Sequence, residues 1–218
     1  QDVITFDLDY PAIITLDEQL SIDHGLTIQG PGVDLLSVSG GGVCRVFYIE
    51  DIAESVDISG ISIVSGDAGE GNGGGIYSLP DSLTVENCHF SGNHAYYGGG
   101  MCNYCSNSTL TNCTFSGNSS DREGGGMCNR YSSPTVTNCI FWDVDSEFCN
   151  DDSTTSLNYC VVQSNDYGVA SVLYVTSADP ELEPLADNGG PTWTCGLGAG
   201  SSAIDAGTTV EEISTDQR

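Results

Sequence analysis

The chain contains no lysine, and its only basic side chains are four arginines, against 31 acidic residues. Its formal charge at pH 7 is −27 over 218 residues. Proteins that bind nucleic acid or acidic lipid carry clusters of Lys and Arg that neutralise the phosphates. The composition therefore excludes a nucleic-acid partner and docking on an anionic membrane surface.

Long apolar runs are absent as well. No stretch reaches the roughly 18 apolar residues that a membrane span needs. Hydrophobic residues make up 39% of the chain and charged residues 16%, which argues against a disordered acidic tail. Twenty-eight glycines and seven prolines leave little room for helices. The length fits one domain or two small ones.

The cysteine content and the first residues point to a compartment. The sequence begins at Gln1, without the Met, basic segment or apolar segment of a leader. Ten cysteines are an even number, which suits an oxidising environment. We therefore expect a secreted or cell-surface protein whose signal peptide has been removed. The alternative for the cysteines is that several are free buried thiols that act as small apolar side chains.

Two short motifs recur along the chain at one period. The first is an alternating apolar run that ends in Asn-Cys, and the second is a glycine triplet. Successive copies of each are separated by 25 and 26 residues. The Asn-Cys pairs are residues 87–88, 112–113 and 138–139, and the triplets are 73–75, 98–100 and 124–126. Such a period predicts supersecondary units that bury their apolar faces only by stacking on one another.

The alternation of apolar and polar residues within one repeat indicates how the repeat folds. Leu83 and Val85 are expected to point inward, and Asn87 to occupy a tight bend in the left-handed conformation that Asn tolerates. After the bend, Cys88 and Phe90 point inward again. Stacked repeats then place the asparagines in a ladder at one corner, and strands joined by such crossovers form a right-handed solenoid.

The sequence thus predicts an all-β, right-handed parallel β-helix of about six or seven coils with a C-terminal capping segment. We expect the coils over residues 1–178, with the clearest ones over 56–162, and a cap or tail over 179–218. A β-sandwich is the alternative, but it gives no reason for two motifs to recur at one period.

The repeats also resemble a known group. Residues 109–118 and 124–129 resemble the repeats of bacterial polymorphic-outer-membrane-protein-like β-helix proteins. The order of the N-terminal strands and the block over residues 179–207 is similar to secreted proteins with a variable C-terminal anchor, the choice-of-anchor type. This resemblance covers almost the whole chain and implies a β-helix and export, but it implies no activity. Two differences are that cysteine replaces Ser or Tyr at several repeat positions and that no anchor follows Gly207.

Two sets of cysteines follow the repeat. One is expected to form an inward structural ladder of reduced thiols, and it comprises Cys88, Cys113, Cys139 and Cys160. Cys102 and Cys128 follow inward methionines, so we expect them on the surface. A disulfide between these two, or of either with Cys105, is left open. Zinc at Cys102 and Cys105 is disfavoured, because no second ligand pair follows.

An acidic segment interrupts the repeat and suggests a cation site. Its carboxylates are Asp143, Asp145, Glu147, Asp151 and Asp152. Calcium takes six to eight oxygen ligands, and the segment begins like a helix–loop–helix calcium loop. It lacks the glycine at position six and the glutamate at position twelve of such loops. Calcium is therefore a candidate cofactor, and a solvated acidic loop is the alternative.

No catalytic residues can be assigned. The chain has no Gly-x-Ser-x-Gly motif, few cations for a polyuronate lyase, and so many acids that a glycosidase pair is uninformative. We expect a non-catalytic, structural or adhesin-like module whose partner is an extracellular polysaccharide or a surface protein. The alternative is a carbohydrate-active or ester-cleaving β-helix enzyme with an unrecognised carboxylate site. The candidate ligand-binding residues, all expected to be exposed, are Tyr96, Tyr97, Glu86 and His89.

Overall fold

The computed structural model describes residues 2–79, 82–144, 146–163, 171–186 and 194–197, and residues 200, 201 and 203. All the described regular elements are β-strands. The first are β1 (Asp2–Thr5), β2 (Ala12–Thr15), β3 (Leu20–Ile22), β4 (Leu26–Gln29), β5 (Leu36–Ser39), β6 (Phe47–Ile49), β7 (Val56–Ser59), β8 (Ser62–Val64), β9 (Ile76–Ser78), β10 (Leu83–Glu86), β11 (His89–Ser91), β12 (His94–Ala95) and β13 (Met101–Tyr104). They continue with β14 (Thr109–Thr111), β15 (Thr114–Ser116), β16 (Ser119–Ser120), β17 (Met127–Arg130), β18 (Thr135–Thr137), β19 (Ile140–Trp142), β20 (Phe148–Asp151), β21 (Ser156–Asn158), β22 (Val161–Val162), β23 (Ser171–Leu173), β24 (Leu182–Ala186) and β25 (Thr194–Leu197).

The strands form three long parallel sheets that wind around one core. The first sheet has the order β1-β4-β7-β10-β14-β18-β21-β23, and the second β2-β5-β8-β11-β15-β19-β22. The third has the order β3-β6-β9-β13-β17-β20. Each of the first six coils gives one strand to every sheet, so the all-β solenoid expected from the repeat is confirmed.

The core is a stack of equivalent side chains from successive coils. The rings of Phe90 and Phe115 lie parallel with centroids 4.3 Å apart, and Phe141 stacks on Phe115 at 4.4 Å. All three side chains are fully buried. Such apolar contacts in register supply most of the stability of a solenoid, because each coil covers the face of the next.

The glycine triplets are needed where the chain crosses this aromatic stack. A Cβ atom on Gly100 would lie 2.6 Å from the Gly126 carbonyl oxygen and 2.7 Å from Cδ1 of Phe115. Gly98, which opens the same triplet, has a φ of 67°, a conformation that side chains disfavour. The triplet therefore recurs because backbone, ring and neighbouring coil approach too closely for any side chain.

The corner between the first and second sheets carries the expected asparagine ladder. Asn87, Asn112 and Asn138 have φ values of 51°, 53° and 54°. The Asn112 side-chain amide donates to Oδ1 of Asn87, and that of Asn138 donates to Oδ1 of Asn112, both at 3.2 Å. The turn is thus fixed by backbone conformation and by side-chain bonds between coils.

The C-terminal part differs from the coils. Strand β23 extends the first sheet, whereas β24 and β25 pair antiparallel as a separate two-stranded unit. Within the described part of the chain, no helix is long and apolar enough to cross a membrane.

Candidate ligand-binding face

The third sheet presents an outward row of aromatic and cysteine side chains. The register of its strands aligns Tyr48 with Tyr77, Tyr77 with Cys102, Cys102 with Cys128, and Cys128 with Cys149. These residues occupy the alternate positions of strands whose other side chains enter the core. The row therefore runs along the outside of five neighbouring coils.

Arg45 fixes the first two tyrosines of this row. Its guanidinium carbon lies 5.5 Å from the ring centroid of Tyr48 and 5.3 Å from that of Tyr77. The guanidinium also donates to the backbone carbonyl oxygens of Asn72 and Gly73. Burial lowers the pKa of Arg45 and raises that of Tyr77 to about 12, so the tyrosine stays neutral near pH 7.

Tyr96 and Tyr97, predicted as ligand-binding residues, lie beside this row just before β13. Their rings meet edge to face with centroids 5.0 Å apart. Arg122 stacks on Tyr96 at 5.3 Å and donates through Nε to its hydroxyl oxygen at 2.8 Å, while Arg130 stacks on Tyr97 at 4.6 Å. Both tyrosines are half-buried, so each presents one part of its ring outward in a fixed orientation.

Tyr104 and Tyr131 continue the aromatic surface at the end of β13 and β17. They are 37% and 55% exposed and meet edge to face at 6.0 Å. We call the whole surface the aromatic face. It comprises Tyr48, Tyr77, Tyr96, Tyr97, Tyr104 and Tyr131 with Arg45, Arg122 and Arg130. Three of the four arginines thus stack on tyrosines of one face, and the fourth, Arg218, lies outside the described residues.

Cys102 and Cys128 do not lie on the surface, so that expectation is wrong. Both are fully buried, and with Cys149 they form a cluster against which Tyr77 and Tyr97 pack. The three point away from the core, but these tyrosines cover them. We call Cys102, Cys128 and Cys149 the outer row. All are free thiols, as is Cys105, which is exposed.

The other four repeat cysteines lie inside the solenoid and are termed the inner row. Cys88, Cys113, Cys139 and Cys160 are free thiols, each at most 1% exposed. Each sulfur lies within 3.4 Å of the carbonyl oxygen two residues before it, to which the thiol donates. Burial raises the pKa of Cys88 and Cys113 well above the ordinary thiol value, so these thiols stay protonated.

Glu86 and His89 do not join the tyrosines. Glu86 ends β10 in the first sheet and His89 begins β11 in the second, whereas the aromatic face belongs to the third. His89 is only 5% exposed, and its Nε2 lies 2.9 Å from Oγ of Ser116, so its expected exposure is wrong. Burial lowers the pKa of His89 to about 4, which leaves a neutral imidazole.

The acidic segment is divided by the fold. Asp143 and Glu147 are buried together, and the backbone N–H of Asp143 donates to Oε1 of Glu147 at 3.2 Å. Burial, and then the charge of Asp143, raise the pKa of Glu147 to about 9, so it is protonated at neutral pH. Asp151 and Asp152 are exposed instead, and Asp145 lies outside the described residues. Among the described residues, no three His, Cys, Asp or Glu side chains converge on a metal position, and calcium binding stays a prediction.

Asp143 belongs to a ladder that the sequence reasoning missed. The Asn93 amide donates to Oδ1 of Asn118 at 2.9 Å, and the Asn118 amide donates to Oδ1 of Asp143 at 2.7 Å. The backbone N–H groups of Asn93 and Asn118 donate to the same two oxygens. The three residues follow one another at steps of 25, the period of the repeat, and this spacing was the available signal.

Comparison with known proteins identifies the architecture. A family model described as the right handed beta helix region matches residues 25–180, well over half of the chain. No curated protein and no solved structure matches the chain significantly. The match begins just before β4, so it leaves out the first coil and covers the other described coils.

Proposed function

Because the chain belongs to the right-handed beta helix family, we propose that it is an exported, non-catalytic module whose aromatic face binds a neutral extracellular polysaccharide. The observation that carries this proposal is the stacking of three arginines on tyrosines of one face. An outward tyrosine that is held in place loses little side-chain freedom when a ligand covers it. The face therefore offers several preorganised rings.

The chemistry of tyrosine fits a sugar chain. A tyrosine ring packs against apolar C–H surfaces while its hydroxyl group exchanges hydrogen bonds with polar groups at the edge. The rings extend over four coils, from Tyr48 to Tyr131, and strands in adjacent coils are spaced by about 4.8 Å. The face is thus about 14 Å long, which suits an extended polymer better than a small molecule.

Charge selects the class of polysaccharide. The net charge of −27 repels polyanions at long range, and the three arginines of the face already interact with tyrosines. Asp143 and Glu147 are neighbouring carboxyl groups, but they are 4% and 2% exposed, so they do not support the alternative of a glycosidase. A neutral glycan bound without cleavage agrees with both observations.

Affinity electrophoresis and calorimetry with neutral and anionic polysaccharides test the proposal. We expect binding to a neutral polymer that Tyr97→Ala and Tyr131→Ala each weaken about fivefold, since an aromatic contact contributes about 1 kcal/mol. Tyr174→Ala is the matched control, because Tyr174 is a 70% exposed tyrosine that stacks on Tyr159 outside the face.

Three results would contradict the proposal. Parental affinity in Tyr97→Ala and Tyr131→Ala would show that the aromatic face does not contact the ligand. A preference for polyanions that fades with salt would reverse the assigned ligand class. Release of new reducing ends or of ester products would show that the module is an enzyme.

A further inference from the structure

The outer row has a geometry that suits a metal ion better than a disulfide. Its cysteines are in register on β13, β17 and β20, so their Cβ atoms are separated by about the strand spacing of 4.8 Å. A disulfide needs Cβ atoms about 3.5–4.5 Å apart. A metal–thiolate bond of about 2.3 Å lets one ion between two sulfurs span about 4.6 Å in a straight line.

The thiols already face one another. Cys102, Cys128 and Cys149 form one buried cluster. The Cys102 thiol raises the pKa of Cys128, and the Cys128 thiol raises that of Cys149. Thiolate is the soft ligand that Cu(I) prefers over harder donors. A two-coordinate ion needs only one pair of thiols, and the central position of Cys128 makes it a member of either pair.

The surroundings supply a cation and a proton acceptor. Arg130, held over the Tyr97 ring, interacts electrostatically with Cys128. The Cys128 thiol, burial and the exposed carboxylate of Glu123 together raise the pKa of Cys149, which places Glu123 near that thiol. In a chain with four basic residues, an arginine beside three thiols offsets the negative charge that thiolates bring to a covered site.

We propose that the outer row binds a soft monovalent metal ion of the Cu(I) class between two neighbouring cysteines, with Cys128 as the shared ligand. Two thiols each lose a proton to solvent, one of them past Glu123, and two sulfur–metal bonds form. No electron is transferred. The product carries one net negative charge, which Arg130 compensates, and the rings of Tyr77 and Tyr97 shield it from water.

The inner row repeats along the same coils but lies in different surroundings. Its thiols donate to backbone carbonyl oxygens, which ligation would leave without their donors. Its cysteines belong to the apolar core cluster, whereas the outer row packs beneath Tyr77 and Tyr97. The inner row is therefore the internal control for the outer row.

The test uses the reduced full chain under anaerobic conditions, titrated with Cu(I) against a competing chromophoric chelator. Alkylation and mass spectrometry then map the thiols that the ion protects. We expect protection of Cys128 with Cys102 or Cys149, and none of Cys105. This mapping needs no variant, so it decides the proposal even where a substitution prevents folding.

Variants define the ligands. Cys128→Ser removes a ligand and should weaken binding by more than about 100-fold. Arg130→Gln alters a neighbour that does not bind the ion and should weaken binding by about 10-fold. Cys102→Ser should bind within about 10-fold of the parent, because Cys128 and Cys149 remain. Cys105→Ser and Cys113→Ser are the matched thiol controls and should bind like the parent.

Several outcomes would overturn the site. One is parental affinity in Cys128→Ser. Another is slower alkylation of inner-row thiols or of Cys105 with Cu(I) than in the metal-free chain, and a third is a disulfide between Cys102 and Cys128 in the protein as isolated.

Discussion

The inner and outer cysteine rows follow the same coils, but their thiols have different partners. Inner-row thiols lie inside the apolar core and donate to backbone carbonyl oxygens, whereas outer-row thiols lie outside that core beneath two tyrosines. Both rows are nearly without exposed surface. We therefore expect the two rows to differ in reactivity, because reactivity depends on what covers the thiol and on which groups neighbour it.

Alkylation under native conditions should separate the two rows by the largest factor. Inner-row thiols should react only through global unfolding, whose population in a small domain is about 10⁻³ to 10⁻⁸. Outer-row thiols need only a local movement of Tyr77 or Tyr97, so we expect them to react at least about 10³ times faster. Mass spectrometry of a timed alkylation series measures both rates.

Tyr97→Ala sharpens this comparison, because it should speed alkylation of the outer row and leave the inner row unchanged. Exposed Cys105 supplies the unprotected reference rate within the same chain. Similar rates for Cys113 and Cys128 would break the distinction between the rows.

A second outward-facing but covered side chain, His89, extends the comparison to the second sheet. Its folded-state pKa of about 4 lies below the ordinary value of 6.5. Between these values the unfolded chain takes up a proton that the folded chain refuses, so stability is present above pH 6.5 and falls as the pH drops towards 4. The loss is up to about 3 kcal/mol.

Denaturant unfolding of the parent and of His89→Gln across this pH range measures the contribution. The fall in the free energy of unfolding across this pH range should be smaller in His89→Gln. His24→Gln alters a histidine with a 59% exposed side chain and should keep the parental fall. A fall of parental size in His89→Gln would show that the imidazole of His89 is open to water.

The smallest expected effect concerns the corner that precedes the inner row. Asn112→Ala removes both amide bonds of the ladder and places a side chain that disfavours φ of 53° at the bend. We expect a loss of about 2–3 kcal/mol in the free energy of unfolding, from strain and lost hydrogen bonds together.

Asn112→Gly keeps the conformation and loses only the bonds, so it should cost about 1 kcal/mol less than the alanine variant. Equal losses in the two variants would mean that backbone conformation does not contribute. Chemical denaturation at neutral pH resolves the difference.

The periodic features were predictable from the sequence, and the covering of outward positions was not. The recurrence of Asn-Cys predicted the coils and the left-handed corner, because both depend on local alternation and on the preferences of one residue type. Alternation also gives the direction of Cys102, Cys128 and His89. It does not say which side chain from elsewhere in the coils lies over them, and that decided their burial.

The acidic segment shows a related limit. Reading Asp143 with its sequence neighbours suggested a cation loop, whereas reading it at the 25-residue spacing places it above Asn118. In a solenoid the neighbour one coil away matters as much as the neighbour in sequence. The tyrosine and arginine contacts of the aromatic face join different coils too, so only the candidate rings, not their stacking, could be named in advance.

The ladder of Asn93, Asn118 and Asp143 also has a direction, and that direction bears on how many coils the protein can have. Each hydrogen bond between its side chains is donated towards the C-terminus, so a residue with an amide can be followed by another copy of itself. Asp143 has no side-chain amide to donate to a further copy, and it closes the series. Duplicating one 25-residue repeat before Asp143 would preserve each bond, whereas a copy inserted after it would begin with an acceptor that has no donor below. We therefore expect that repeats can be added or removed, in evolution or by design, on the N-terminal side of Asp143 and not on its C-terminal side.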